Sequence, residues 1–111
     1  MELTKFELSI LTRVAFKYPF VKSHLPLLRV KSRELTGVGM YTNFEYINYD
    51  LNVIDVYDKK YIALTTDEII KIKGLTNGLQ YYVDYTNGKL LFIEVVTCDE
   101  AWDGNTLDFY W

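Results

Sequence analysis

After Lys89 the chain carries Glu94, Asp99, Glu100, Asp103 and Asp108 and not one lysine or arginine. Trp102, Phe109, Tyr110 and Trp111 are interleaved with these acids, and Tyr82 lies just upstream. Acids in this pattern steer a basic partner at long range, while Trp102, Tyr82 and Tyr110 would anchor it at short range. The plainer alternative is a solvated acidic surface. Glu94 is the anomaly among the five. A two-residue loop at Asn87-Gly88, a strong hairpin signal, pairs Thr86 with Lys89, Tyr85 with Leu90, Val83 with Phe92, Tyr81 with Glu94 and Leu79 with Val96. That register gives one apolar face with Glu94 in its middle. A carboxyl in poor solvent has a raised pKa and suits a general acid or base, or a charge offered to a partner. The structural alternative is a Glu tied to Tyr81 or to a neighbouring arginine.

Other groups carry less chemistry. His24 is the only histidine and Cys98 the only cysteine. They lie in unrelated segments, so neither a zinc cluster nor a thiol–imidazole pair is indicated. His24, beside Lys22 and Ser23, reads as a surface or capping residue. Gly37-Val38-Gly39 enters a strand, where a dinucleotide fingerprint needs a helix. Asp50, Asp55 and Asp58 lack calcium-loop spacing. Arg29, Lys31 and Arg33 alternate on one expected strand face. With Tyr41 on the next strand they would hold a nucleic-acid backbone and stack a base, or else form a solvated face neutralised by Glu45. No cofactor or metal is expected.

The elements that must position these residues follow from periodicity. Leu3, Phe6, Ile10, Leu11, Val14, Ala15 and Tyr18 recur at helical spacing, so residues 2–18 predict an amphipathic helix ended by Pro19. From Leu27 the period becomes two. Leu28, Val30 and Ser32 oppose Arg29, Lys31 and Arg33. A turn at 36–39 leads into a strand from Gly39 to Asn48 with Met40, Thr42, Phe44 and Tyr46 on one face. Residues 49–60 are ambiguous, with turn-formers among apolar residues. Tyr61–Leu64 and Ile69–Leu75 predict further strands, followed by the hairpin and a short strand near Thr106–Tyr110. The fold class is α+β: one amphipathic helix packed on a curled antiparallel sheet of five or six strands. At 111 residues this is a single domain, 1–111.

Seven bases against two acids in residues 1–33 contrast with the all-acidic end, and the net charge is −3. That overall sign disfavours broad nucleic-acid binding. One cysteine, the acidic N-terminus and the lack of an apolar run near the ~18 residues of a membrane span point to the cytoplasm.

Arg33-Glu34-Leu35-Thr36-Gly37-Val38-Gly39-Met40-Tyr41-Thr42-Asn43-Phe44, then Gly74-Leu75-Thr76-Asn77-Gly78-Leu79, Asn87-Gly88-Lys89-Leu90, Glu94-Val95-Val96-Thr97 and Trp102, resemble a group of small bacterial proteins. That group looks like an N-terminal helix followed by a short sheet. Some proteins of this kind sit beside toxins as immunity proteins, including those of contact-dependent growth inhibition systems. Where a proline is expected after the tryptophan, this chain has Asp103. The resemblance implies a non-enzymatic inhibitor that binds a cognate toxin. A basic nuclease domain would suit the acidic surface of Tyr82, Glu94, Asp99, Glu100, Trp102, Asp103, Asp108 and Tyr110. The alternative is a small nucleic-acid- or ligand-binding module using Arg29, Lys31, Arg33 and Tyr41.

Overall fold

Thr4 and Glu7 start the helix by capping each other. The Thr4 hydroxyl accepts from the Glu7 N–H at 3.2 Å, and Glu7 Oε1 accepts from the Thr4 N–H at 2.8 Å. Two of the unpaired donors at a helix start are thereby satisfied. In the computed structural model, which describes residues 1–111, α1 spans Lys5–Lys17 and is capped by Tyr18, the residue before Pro19. Phe6, Ile10, Leu11, Val14 and Ala15 are buried, while Lys5, Leu8, Thr12, Phe16 and Lys17 are exposed. Two 3-10 turns follow, Pro19–Ser23 and Leu25–Leu27. No helix is long and apolar enough to cross a membrane.

The strands are β1 (Leu28–Leu35), β2 (Gly39–Tyr46), β3 (Tyr61–Leu64), β4 (Lys71–Ile72), β5 (Leu79–Thr86), β6 (Lys89–Thr97) and β7 (Phe109–Tyr110). Five of them form an antiparallel sheet in the order β1-β2-β6-β5-β3, and β4 pairs with β7 apart from it. The sheet does not close, because β1 and β3 are both edges. The class is α+β. The strand expected over Ile69–Leu75 shrinks to β4 plus a bridge from Ile70 to Leu79, and residues 49–60 form no strand. Asn87 and Gly88 both take positive φ (49° and 84°), as the tight β5–β6 turn requires.

One sheet face is covered. Phe6 meets Phe109 at 5.3 Å between ring centroids, Trp111 meets Tyr81 at 5.6 Å, and Phe20 meets Tyr85 at 4.9 Å. Helix, 3-10 turns and C-terminus therefore all pack on the side shared by Tyr81, Val83 and Tyr85. Each fully buried Leu or Ile there contributes about 2–3 kcal/mol.

A carboxylate and an imidazole are sealed beneath this cover. Glu7 is 1% exposed. Arg33 grips it through Nε–Oε2 and Nη2–Oε1 bonds of 2.8 Å each, and the Thr42 hydroxyl donates to Oε2 at 2.8 Å. Burial alone raises the carboxyl's pKa. The hydrogen bonds from Arg33, the Thr4 backbone and Thr42 outweigh it, and the net shift is downward. His24, expected at the surface, is instead 0% exposed. The 3-10 turns press its ring edge-on against Tyr46 and Tyr85. Tyr46 Oη accepts from the Leu90 N–H at 2.7 Å, so its own proton goes to His24 Nδ1 at 2.9 Å. Nε2–H then donates to the Asp55 carbonyl at 2.7 Å. Burial lowers the imidazole pKa, opposed by the Asp55 carbonyl and the Asp55 charge.

Glu7→Ala leaves Arg33 half-buried without its carboxylate and removes a cap. We expect about 3 kcal/mol of lost stability, read as a fall in thermal midpoint of roughly 10 °C. The two buried groups also separate by pH. Folded His24 binds its proton less readily than the unfolded chain, so its contribution is complete above about pH 6.5 and is lost as the pH falls below that value. For Glu7 the contribution is complete above about pH 4.5 and is lost below it. Denaturant midpoints measured from pH 7.5 to 3.5 should lose the first decline in His24→Gln and only the second in Glu7→Gln.

Candidate functional site: the uncovered sheet face

Strict alternation fails twice in this sheet, each time at a one-residue bulge. In β1, Val30 pairs with Phe44 but Ser32 pairs with Asn43, so Lys31 is the extra residue. In β6, Leu90 pairs with Tyr85 but Phe92 pairs with Asp84, so Leu91 is extra. A bulge moves every later side chain to the opposite face. Ile93, Val95 and Thr97 point into the core, and Glu94 points out. The expected Tyr81–Glu94 pair is therefore corrected. Tyr81 faces Val95, and Glu94 faces Tyr82. Arg33 is corrected in the opposite sense: it turns inward to Glu7 instead of outward with Arg29 and Lys31.

The outward residues form registered rows. Glu34 pairs with Tyr41, Tyr41 with Glu94, and Glu94 with Tyr82, so acid and tyrosine alternate across β1, β2, β6 and β5. The next row runs Ser32, Asn43, Phe92, Asp84, Ala63. Tyr41, Asn43, Phe92, Glu94 and Tyr82 remain half-exposed or exposed, and none belongs to the core cluster. Tyr41 donates to Glu94 Oε2 at 2.9 Å, and its ring meets Phe92 edge-on at 5.4 Å. The hydrogen bond to Glu94 raises the Tyr41 pKa, aided by the charges of Glu94 and Glu34 and by slight burial. Asp84 is more sheltered, with Oδ1 accepting from the Thr86 hydroxyl at 2.7 Å. Neither row holds a base. Arg29 pairs across from Glu45, and Lys31 stays at its bulge on the edge strand.

The other predicted partner-binding residues scatter. Trp102 is corrected from an exposed anchor to a core residue, 8% exposed, with its indole N–H unpartnered. Its backbone N–H donates to the Gly37 carbonyl, which ties the C-terminal loop to the β1–β2 turn and draws the ring inward. Glu100 accepts from the backbone N–H groups of Thr76 and Asn77 at 2.7 and 2.8 Å, which lowers its pKa. It braces a turn. Asp103 Oδ1 accepts from the Asn105 N–H. Asp99, Asp103, Asp108 and Tyr110 are exposed around the loop. Through the Trp102–Gly37 link that loop meets the turn next to the Glu34–Tyr41 end of the row. The alternative set of Arg29, Lys31, Arg33 and Tyr41 is split: Arg33 is spent on Glu7 and Tyr41 on Glu94. Glu34, Asp84 and Phe92 join the site unforeseen. Registering the 36–39 turn would have found Glu34, whereas Phe92 depended on the bulge.

The largest concavity, about 680 Å³ beside α1, has its charges committed. Arg13 bonds Glu68 at 2.7 Å and stacks over Trp111 at 4.2 Å, and Lys17 donates to the Thr65 carbonyl. No His, Cys, Asp and Glu side chains gather in a metal-holding group. No protein family, curated protein or solved structure matches the chain.

Glu94→Gln should bring the Tyr41 phenol back down toward its ordinary titration near 10 and leave the buried Tyr46, which burial holds higher, where it was. Carbon-13 NMR of labelled tyrosines resolves the two. An unmoved Tyr41 would show that Glu94 lies elsewhere than on this face.

Proposed function

We propose that this chain is a non-enzymatic inhibitor of the immunity-protein kind, which binds a basic toxin domain through its uncovered sheet face. One observation carries the reading: a sheet covered on one side presents on the other an ordered row of carboxylates and tyrosines without a base. Burying such a face again requires a partner, and its charge selects a cationic one. Tyrosines give rigid contact area with a polar tip, as binding anchors do. A nuclease domain suits this chemistry, because a protein that holds a polyanion is cationic around its active site. Exposed Asp99, Asp103 and Asp108 at the adjoining loop extend the negative field and steer approach. The inhibitor acts in the cytoplasm, before its partner reaches nucleic acid. The rival nucleic-acid reading lacks a favouring observation, since its basic stripe is broken by the inward turn of Arg33.

The test is titration calorimetry against the product of the neighbouring gene at two salt concentrations. Glu34→Lys with Glu94→Lys should weaken binding by about a hundredfold, the scale of two reversed interface charges. Asp99→Lys with Asp103→Lys should cost less affinity and chiefly flatten the salt dependence of binding. Unchanged affinity in the first variant sinks this docking face. A neighbouring product that binds no form of the chain sinks the inhibitor reading.

A further inference from the structure

We infer that the row receives arginine in particular, so that the docked segment of the basic partner presents guanidinium groups to Tyr41, Glu94 and Tyr82. This rests on the docking reading above and narrows what the partner must offer. Neighbouring strands lie about 4.8 Å apart, so each ring stands roughly that far from the next carboxylate along the row. A guanidinium is planar and wide enough to lie on one ring while its edge N–H groups reach the carboxylate beside it. An ammonium is a compact, strongly hydrated point charge and satisfies one of these contacts at a time.

Glu94 is the centre of the arrangement. Tyrosines flank it on both sides in the register, Tyr41 on β2 and Tyr82 on β5. The Tyr41 hydroxyl occupies Oε2 and holds the carboxylate in place, which leaves Oε1 to accept from an incoming donor. Glu34 supplies a second carboxylate at the far side of Tyr41. No lysine or arginine of the chain lies in the row to neutralise it.

The molecule already uses both halves of this contact on its own arginines. Arg33 forks onto the Glu7 carboxylate with two 2.8 Å bonds, and Arg13 stacks on Trp111 while bonding Glu68. Its lysines approach rings without such a fork, as Lys89 does over Tyr49 at 4.6 Å. The uncovered row offers ring and carboxylate together with the arginine missing.

The probes are a peptide of four alternating arginines and serines and the same peptide with lysine, titrated into the full chain and followed by amide NMR. The arginine peptide should bind about tenfold or more tighter, the scale of one added charged hydrogen bond. Its shifts should centre on Tyr41, Glu94 and Tyr82. Glu94→Gln should weaken it about tenfold, and Tyr82→Leu several-fold. Both side chains face outward, and the amide spectrum of each variant checks that the fold is kept. Equal affinity for the two peptides, with both lost in Glu94→Gln, overturns the arginine preference and leaves the docking face standing. Binding indifferent to Glu94 and Glu34, or mapping to Asp99–Asp108, removes the face itself. No arginine-peptide binding up to millimolar concentration also overturns the inference.

Discussion

The Glu7 carboxylate takes hydrogen bonds from the start of its own helix, from Arg33 on β1 and from Thr42 on β2. A carboxylate this deeply buried is costly to desolvate, and only a full set of donors makes it tolerable. The set is specific in geometry: it fixes the helix start against the first hairpin and requires a cation to enter from the sheet. Arg33 can enter only because Lys31 is bulged out of β1. Without the extra residue Arg33 would face solvent, and Glu7 would stand beneath the cover with no counter-charge. The interaction thus decides which side of β1 is inside, and through β1 which side of the whole sheet is covered.

The second bulge, at Leu91, settles the other half of the sheet. It places Leu90, Ile93 and Val95 inside and sends Phe92 and Glu94 out. Glu94 thereby avoids the desolvation that simple alternation would impose and joins Glu34 on the free face. Both bulges resolve the same conflict, a charged residue whose parity in sequence disagrees with the environment it can tolerate. On the free face, the cross-strand register then sets Glu34, Tyr41, Glu94 and Tyr82 side by side. These four come from four strands and from sequence positions up to sixty residues apart on the scale of the chain.

Much of the scaffold was legible beforehand. The N-terminal helix ahead of Pro19, the alternation in β2 and the Asn87-Gly88 turn are local patterns with local causes, and the structure keeps them. The candidate site was legible only in its residue types. Tyr82 and Glu94 stand out in the sequence as aromatic and acid, yet simple alternation puts Glu94 on the wrong face. Strand alternation groups Tyr41 with the cations of β1, whereas its hydroxyl bonds Glu94. The polar neighbours of Trp102 and His24 in sequence point to the surface, but a loop anchored at Gly37 and a pair of 3-10 turns carry them inside. Nothing local to Glu100 shows that it braces the backbone at Thr76 and Asn77, more than twenty residues away.

The sequence by itself determined the class of the fold, the place of the helix and hairpins, and a negative charge concentrated toward the C-terminus. These depend on composition and on interactions within a few residues. Only the tertiary structure decided which acids lie on the free sheet face. Face assignment depends on parity, and one inserted residue reverses it. Whether the chain inserts that residue depends on burial energies set by groups far away in sequence, with Glu7 waiting for Arg33 as the clearest case.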